Sequence, residues 1–263
     1  LIYLSTLFTA EEDVKVSVRN KINDSWKTVY GCLGKNKEKA LNDDEYLQAH
    51  WIIYFGYNRN AKDNYVNFLL NKQFTQKRIL EKIETKDIQE ETLEDEIPLD
   101  GDGDNEIEEV IEQEPESRDK NKLAIGDIGD YVDSMKNLIP FWYAINFPDK
   151  TDLPEEIKTW LDRINRIGFV YFKPLTTVVL SREDISDEDK VEYLKKVERF
   201  IFLHFRLSSY ISTYRNSVYY RLAYDLYHRN KDINQILDEL DKIDYIGENG
   251  VLPIDAVINN IQR

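Results

Sequence analysis

Phe172-Lys-Pro-Leu-Thr-Thr-Val-Val-Leu180, FKPLTTVVL, is the stretch whose reading decides the fold class. Its last five residues are almost all β-branched and read as a strand by propensity alone. Pro174 opposes that reading, because it suits the first turn of a helix. No partner strand is evident elsewhere in the chain, so the expectation is helix, and the fold class is all-α.

Working outward, helical spacing recurs on both sides. Upstream, LPEEIKTWLDRINRIG carries Ile157, Trp160, Leu161, Ile164 and Ile167 as one stripe, with Pro154 placed at N1 and Gly168 as the stop. In YVDSMKNLIPFWYAINFP (131–148) the same period returns, and Pro140 is expected to kink or stop that helix. Downstream lies a long helical region, SDEDKVEYLKKVERFIFLHFRLSSYISTYRNSVYYRLAYDLYHRN, with a break expected near Ser208 to Ser217. Residues 231–246 form an amphipathic helix, and LPIDAVINNIQR a further one.

The N-terminal part reads the same way. Thr9 with Glu12 three residues on reads as a capping box for a helix carrying Val18, Ile22, Trp26, Val29, Tyr30 and Leu33, with Gly31 and Gly34 at its fraying end. After the basic loop GKNKEKA, Asn42 or Asp43 caps DDEYLQAHWIIYFGY. DNYVNFLLNKQFTQKRILEKI supplies a third helix or helical pair. The opening LIYLSTLFTAEED is too short for a spanning helix and lacks the basic n-region of a signal peptide. It is expected to be the last turns of a helix entering from a missing domain.

Composition agrees with a helical protein. Seventeen tyrosines stand against ten glycines, and the single cysteine, Cys32, excludes an intramolecular disulfide and points to a reducing, cytoplasmic setting. The net charge of −15 is unevenly spread: residues 84–118 hold sixteen acidic and two basic side chains, which leaves the rest near neutral. Pro98, Gly101, Gly103 and Pro115 break any helix there. The expected organisation is therefore an N-terminal helical part (1–83), an acidic flexible linker or insertion (84–122) and a C-terminal helical bundle (123–263). Within the linker, Asp100, Asp102 and Asp104 mimic the start of an EF-hand loop. The match then fails, with Asn105 where Gly is needed and Ile111 where the bidentate Glu belongs, so the segment reads as a solvated tether. Shielding of a basic groove, or mimicry of DNA, is its other use.

Phosphate loops, dinucleotide fingerprints, Cys-x-x-Cys and His-Glu-x-x-His are missing from the sequence. His50 and His204 lie inside aromatic helices and read as core histidines. Arg221 and His228 are two helical turns apart, which resembles at its limit the Arg/His pair of the metal-independent HEPN ribonucleases, although Leu222 stands where that family has a polar residue. Interleaved arginine and tyrosine can contact phosphates and stack bases. Arg206, Arg215, Tyr219 and Arg221, with Tyr220 beside them, are accordingly the candidate nucleic-acid-binding residues. Their bland reading is half-buried bundle tyrosines and surface arginines. No catalytic residue and no metal ligand is assigned.

The order of segments carries a family resemblance. RNKINDSWKTVYGCLGKNKEKALNDDEYLQAHWIIYFGY, LLNKQFT, an acidic insertion, YVDSMKNLIPFWYAINFP, WLDRINRIGFVYFKPL and VERFIFLHFRLSSYISTYRNSVYYRLAYDLY together resemble the helical middle of GmrSD-type restriction endonucleases. These are bacterial anti-phage proteins with a ParB/sulfiredoxin-like nucleotidase domain before this region and an HNH-type nuclease domain after it. The family's Asp-Gly-Gln-Gln-Arg motif and its His/Asn metal set are not in this sequence. The resemblance thus implies a non-catalytic scaffold and relay, with NTP and a divalent metal belonging to the parent protein only. The partners it implies are the flanking domains and duplex DNA. A stand-alone module that forms homo-oligomers through its aromatic faces is the alternative, and the HEPN-like ribonuclease a further one. No membrane association is expected.

Overall fold

A computed structural model describes residues 1–57, 65–80, 122–168, 170–207 and 215–245. In chain order its helices are α1 (Ile2–Leu7), α2 (Glu12–Leu33), α3 (Asp43–Phe55), α4 (Tyr65–Asn67), α5 (Gln76–Leu80), α6 (Ile125–Asn146), α7 (Glu155–Ile167), α8 (Lys173–Ser181), α9 (Asp187–Ile201), α10 (Asn216–Tyr227) and α11 (Ile233–Tyr245). α4 and α9 run on into π-helical turns, Phe68–Gln73 and Phe202–Leu207, and a 3₁₀ turn, Pro148–Lys150, follows α6. Among the described residues there is no strand, and the bundle is all-α.

The stretch Thr176–Leu180 is helix, inside α8, with Pro174 in its first turn. Every residue from Pro174 to Leu180 is buried. A segment so placed must satisfy its backbone internally, which a helix does and an unpartnered strand cannot. Its two threonine hydroxyls are consumed as well. Thr176 Oγ1 donates to the Phe172 carbonyl (2.8 Å) and lies 2.9 Å from the Tyr193 hydroxyl, while Thr177 Oγ1 donates to the Lys173 carbonyl (2.7 Å). Burial on all sides therefore overrides β propensity.

Two apolar clusters make up the core. One gathers Leu4, Ile22, Val29 and Leu33 with Tyr46, Phe74, Ile79 and the α6 residues Ile128, Val132, Met135 and Ile139. The other gathers α7–α11 with Leu138 and Ile145 of α6 and Ile53 of α3. α6 packs along α2 on one side and against α8 on the other, so a single helix walls both cores. The division of the cores does not follow the division of the sequence at 84–122, because the N-terminal helices complete their core with residues beyond Leu123. The chain rejoins this cluster directly, as the Leu123 amide donates to the Arg78 carbonyl (2.8 Å).

Several boundaries follow local chemistry. Asn42 caps α3, its Oδ1 accepting from the Asp44 amide (2.8 Å), and Ser186 caps α9 through the Asp189 amide (3.1 Å). Gly168 ends α7 with φ 82°, where a side chain would be strained. Three expectations are corrected. α2 starts at Glu12 with Glu11 as its cap and no capping side chain, so Thr9 makes no capping box. With Glu12 at the first helical position its carboxylate pairs with Arg19 instead (2.5 Å). Pro140 does not stop α6, which runs through it to Asn146 with the proline ring exposed to solvent. Pro154 is the cap of α7 rather than its first helical residue. The EF-hand-like loop, most of the 84–122 segment, most of the Ser208–Ser217 region and the LPIDAVINNIQR helix lie outside the described residues.

Candidate functional site

Ser134 is a polar residue on the buried side of α6, and it is where three helices meet. His50 Nε2 of α3 lies 2.8 Å from its Oγ, and that Oγ donates to the Tyr131 carbonyl (2.7 Å). A carbonyl only accepts, so the serine proton points to Tyr131 and the imidazole must be the donor to Ser134. His50 is thereby held as the Nε2–H tautomer, and its Nδ1 has no hydrogen-bond partner among the described residues. Tyr227 of α10 lies near the same hydroxyl; burial pushes its phenol up, and Ser134 offsets part of that push. Rings close around the imidazole: Tyr131 edge-on at 5.0 Å, Tyr54 stacked at 5.7 Å and Tyr46 at 6.1 Å.

Burial without a counter-charge pushes the His50 pKa down to about 3. A nucleophilic serine has to donate to its histidine, whereas here the proton goes to a backbone carbonyl and the pair is fully buried. The node is thus built as a tie between α3, α6 and α10. Next to it, His228 donates from Nε2 to the Tyr54 carbonyl at the end of α3 (2.9 Å). Gly56, φ 81°, sits under the Tyr224 ring, where a Cβ would come within 3.3 Å. The end of α3 is pinned to α10 by both contacts.

Of the four sequence candidates for nucleic-acid contact, Tyr219 is turned into the core, and Arg206 and Arg221 are engaged by neighbouring elements. Arg206 turns its guanidinium to the last carbonyl of α7, donating to Ile167 from Nε (3.1 Å) and from Nη2. Arg215 is the cap of α10 with a left-handed backbone, φ 58°, and its charge, after burial, helps hold the His204 pKa near 4. Tyr219 is buried in the core against Phe172 (4.0 Å) and Phe200 (5.3 Å), where no base can stack on it. Arg221, two positions on and so on the opposite side of the helix, is exposed and pairs with Glu239 of α11 (3.9 Å). Arg221 and His228 are thus engaged on different neighbours. His204 is buried against Phe200, with ring centres 4.2 Å apart.

A different group of cations converges at the C-terminal end of α6. Lys35 lies over the Tyr143 ring (5.0 Å), Lys150 over Phe147 (5.9 Å) and Lys173 over Trp142 (5.4 Å). Lys150 donates to Asn36 Oδ1 (2.9 Å) and Lys173 to Asn146 Oδ1 (2.9 Å). Burial, with Lys39 nearby, lowers the Lys173 pKa against an opposing pull from Glu45. The GKNKEK alternation was the signal in the sequence; its three-dimensional complement, Lys150 and Lys173, was not readable there.

Among the described residues no group of three or more His, Cys, Asp or Glu side chains is placed to hold a metal, and no helix is long and apolar enough to cross a membrane. No protein-family model, curated protein or solved structure matches the chain.

Proposed function

We propose that this chain is a non-catalytic helical scaffold and relay of a bacterial, cytoplasmic, modification-dependent restriction protein of the GmrSD type, active in anti-phage defence and in contact with duplex DNA. The observation that supports this reading best is the sharing of α6 between both cores. A change at one end of such a helix is carried to the other by packing, which is what a connector between two working domains requires, provided it has two arrangements. The chemistry of the histidines supports it further: His50 is a buried tie, and His228 serves a backbone carbonyl. In this reading NTP and divalent-metal chemistry belongs to flanking domains of the same protein.

The test is direct. The purified chain, incubated with NTPs, duplex DNA and Mg²⁺ or Mn²⁺, is expected to hydrolyse and cleave nothing, while fluorescence polarisation shows salt-dependent binding to duplex DNA. RNA cleavage abolished by His228→Ala would overturn the scaffold reading in favour of a HEPN-like ribonuclease. A stable dimer in light scattering that ignores DNA would favour the interaction module.

A further inference from the structure

We infer that the lysine rim around the C-terminal end of α6, Lys35, Lys37 and Lys39 with Lys150 and Lys173, is a surface for the phosphate backbone of a nucleic acid, in place of the arginine cluster read from the sequence. It deepens the proposed DNA contact and rests on it. On the α9–α11 side four lysines are paired with carboxylates, Lys190 with Asp187, Lys195 with Glu156, Lys196 with Asp241 and Lys231 with Glu239, and Lys242 enters no ion pair among the described residues. At the rim the pattern changes. Lys35, Lys37, Lys39 and Lys173 enter no ion pair among the described residues, while Lys150 pairs with Glu38 (3.7 Å).

Three of these ammonium groups are supported from below by aromatic rings of one helix end, Trp142, Tyr143 and Phe147. Support of this kind holds a cation in place without neutralising it. The partial negative charge at the end of α6 accounts for a lysine or two, yet Lys37 and Lys39 stand further out on an exposed loop. That loop is itself braced, since Asn36 Oδ1 accepts from the Glu38 amide (3.3 Å) as well as from Lys150. The facing carboxylates are Glu38, Glu45 and Asp149. Asp43 and Asp44, in the first turn of α3, accept from the Asp44 amide and the Tyr65 hydroxyl and keep their charge, so they stand with those carboxylates. Preplaced ammonium groups on a braced edge, four of them outside any ion pair among the described residues, match the spaced charges of a phosphodiester chain, and neutralising phosphates releases counterions.

The experiment is a polarisation titration of the intact chain with a short fluorescent duplex DNA and a single-stranded RNA across a salt series. K35E/K37E/K39E is expected to weaken binding roughly tenfold or more and to flatten the log K against log salt slope by about three units. K35Q/K37Q/K39Q should do the same to a smaller extent with the fold unchanged in circular dichroism, and K27E/K195E/K242E, equal in charge but elsewhere, should have the lesser effect. Lysine-dependent binding of either strand type supports the rim. Unchanged binding in both rim variants, with loss in Arg206→Gln/Arg221→Gln, overturns the rim and leaves DNA contact standing. No binding by the intact chain overturns both.

Discussion

His50 of α3 donates its Nε2 proton to Ser134 of α6 across 2.8 Å of fully buried core. The cost of charging that imidazole sets a pH dependence. The unfolded histidine takes a proton near pH 6.5, and the folded one only near 3, so between those values the unfolded chain binds the extra proton. Stability therefore falls as pH drops below about 6.5, by about 1.4 kcal/mol per pH unit for one such group. His204, held near 4, acts in the same direction. Urea unfolding at pH 7.5, 6 and 5 reads the slope, and His50→Phe should remove about one proton's share of it. An unchanged slope in that variant would sink the assignment.

Pro140 lies inside α6 and faces solvent. Its nitrogen has no proton to give to the carbonyl one turn back. Pro140→Ala is expected to stabilise the protein by about 1–3 kcal/mol, measured as a higher Tm. A lower Tm would mean that a bend at Pro140 is what lets α6 serve both cores.

Gly168 and Gly31 should respond with opposite signs. At Gly168 the backbone has φ 82°, and a Cβ would lie 3.4 Å from Arg206 Nη2, so Gly168→Ala is expected to cost about 1–2 kcal/mol. Gly31 is inside α2 with open space around its Cα, and Gly31→Ala should gain about 0.5–1 kcal/mol. Denaturant midpoints of the two variants decide it. Arg206→Ala in the Gly168→Ala background should leave most of the loss in place, because the strain is in the backbone.

Leu138 and Ile139 are adjacent yet serve different cores. Either residue replaced by alanine should cost about 2–5 kcal/mol, whereas exposed Val16→Ala on α2 should stay within about 0.5 kcal/mol. Hydrogen exchange separates the pair. Ile139→Ala is expected to speed exchange first in α2, and Leu138→Ala first in α7 and α8. The same pattern from both variants would argue against α6 as a dividing wall.

Much of this was legible in the chain. Helical period, the Asn42 cap, the Gly168 stop and the amphipathic helix ending at Tyr245 depend on residues within a turn or two of one another. Where a local rule failed, a competing local partner explains it: Glu12, read as the third position of a capping box, is the first residue of α2 and turns to Arg19.

By itself the sequence determined an all-helical chain, because periodicity, caps and stops are short-range properties of the backbone and its nearest side chains. At Thr176–Leu180, where propensity points to strand and Pro174 to helix, burial between α6, α3 and α10 supplies the physical reason that the helix wins, because it leaves no partner for a strand's backbone. Tertiary structure alone decided that Tyr219 faces inward while Arg221 faces out, that His50 meets Ser134 from 84 positions away, and that Lys150 and Lys173 join the loop lysines at one helix end. Such pairings are made by packing, in which partners far apart along the chain are selected by shape and by the need to satisfy buried polar groups, and no local pattern encodes them.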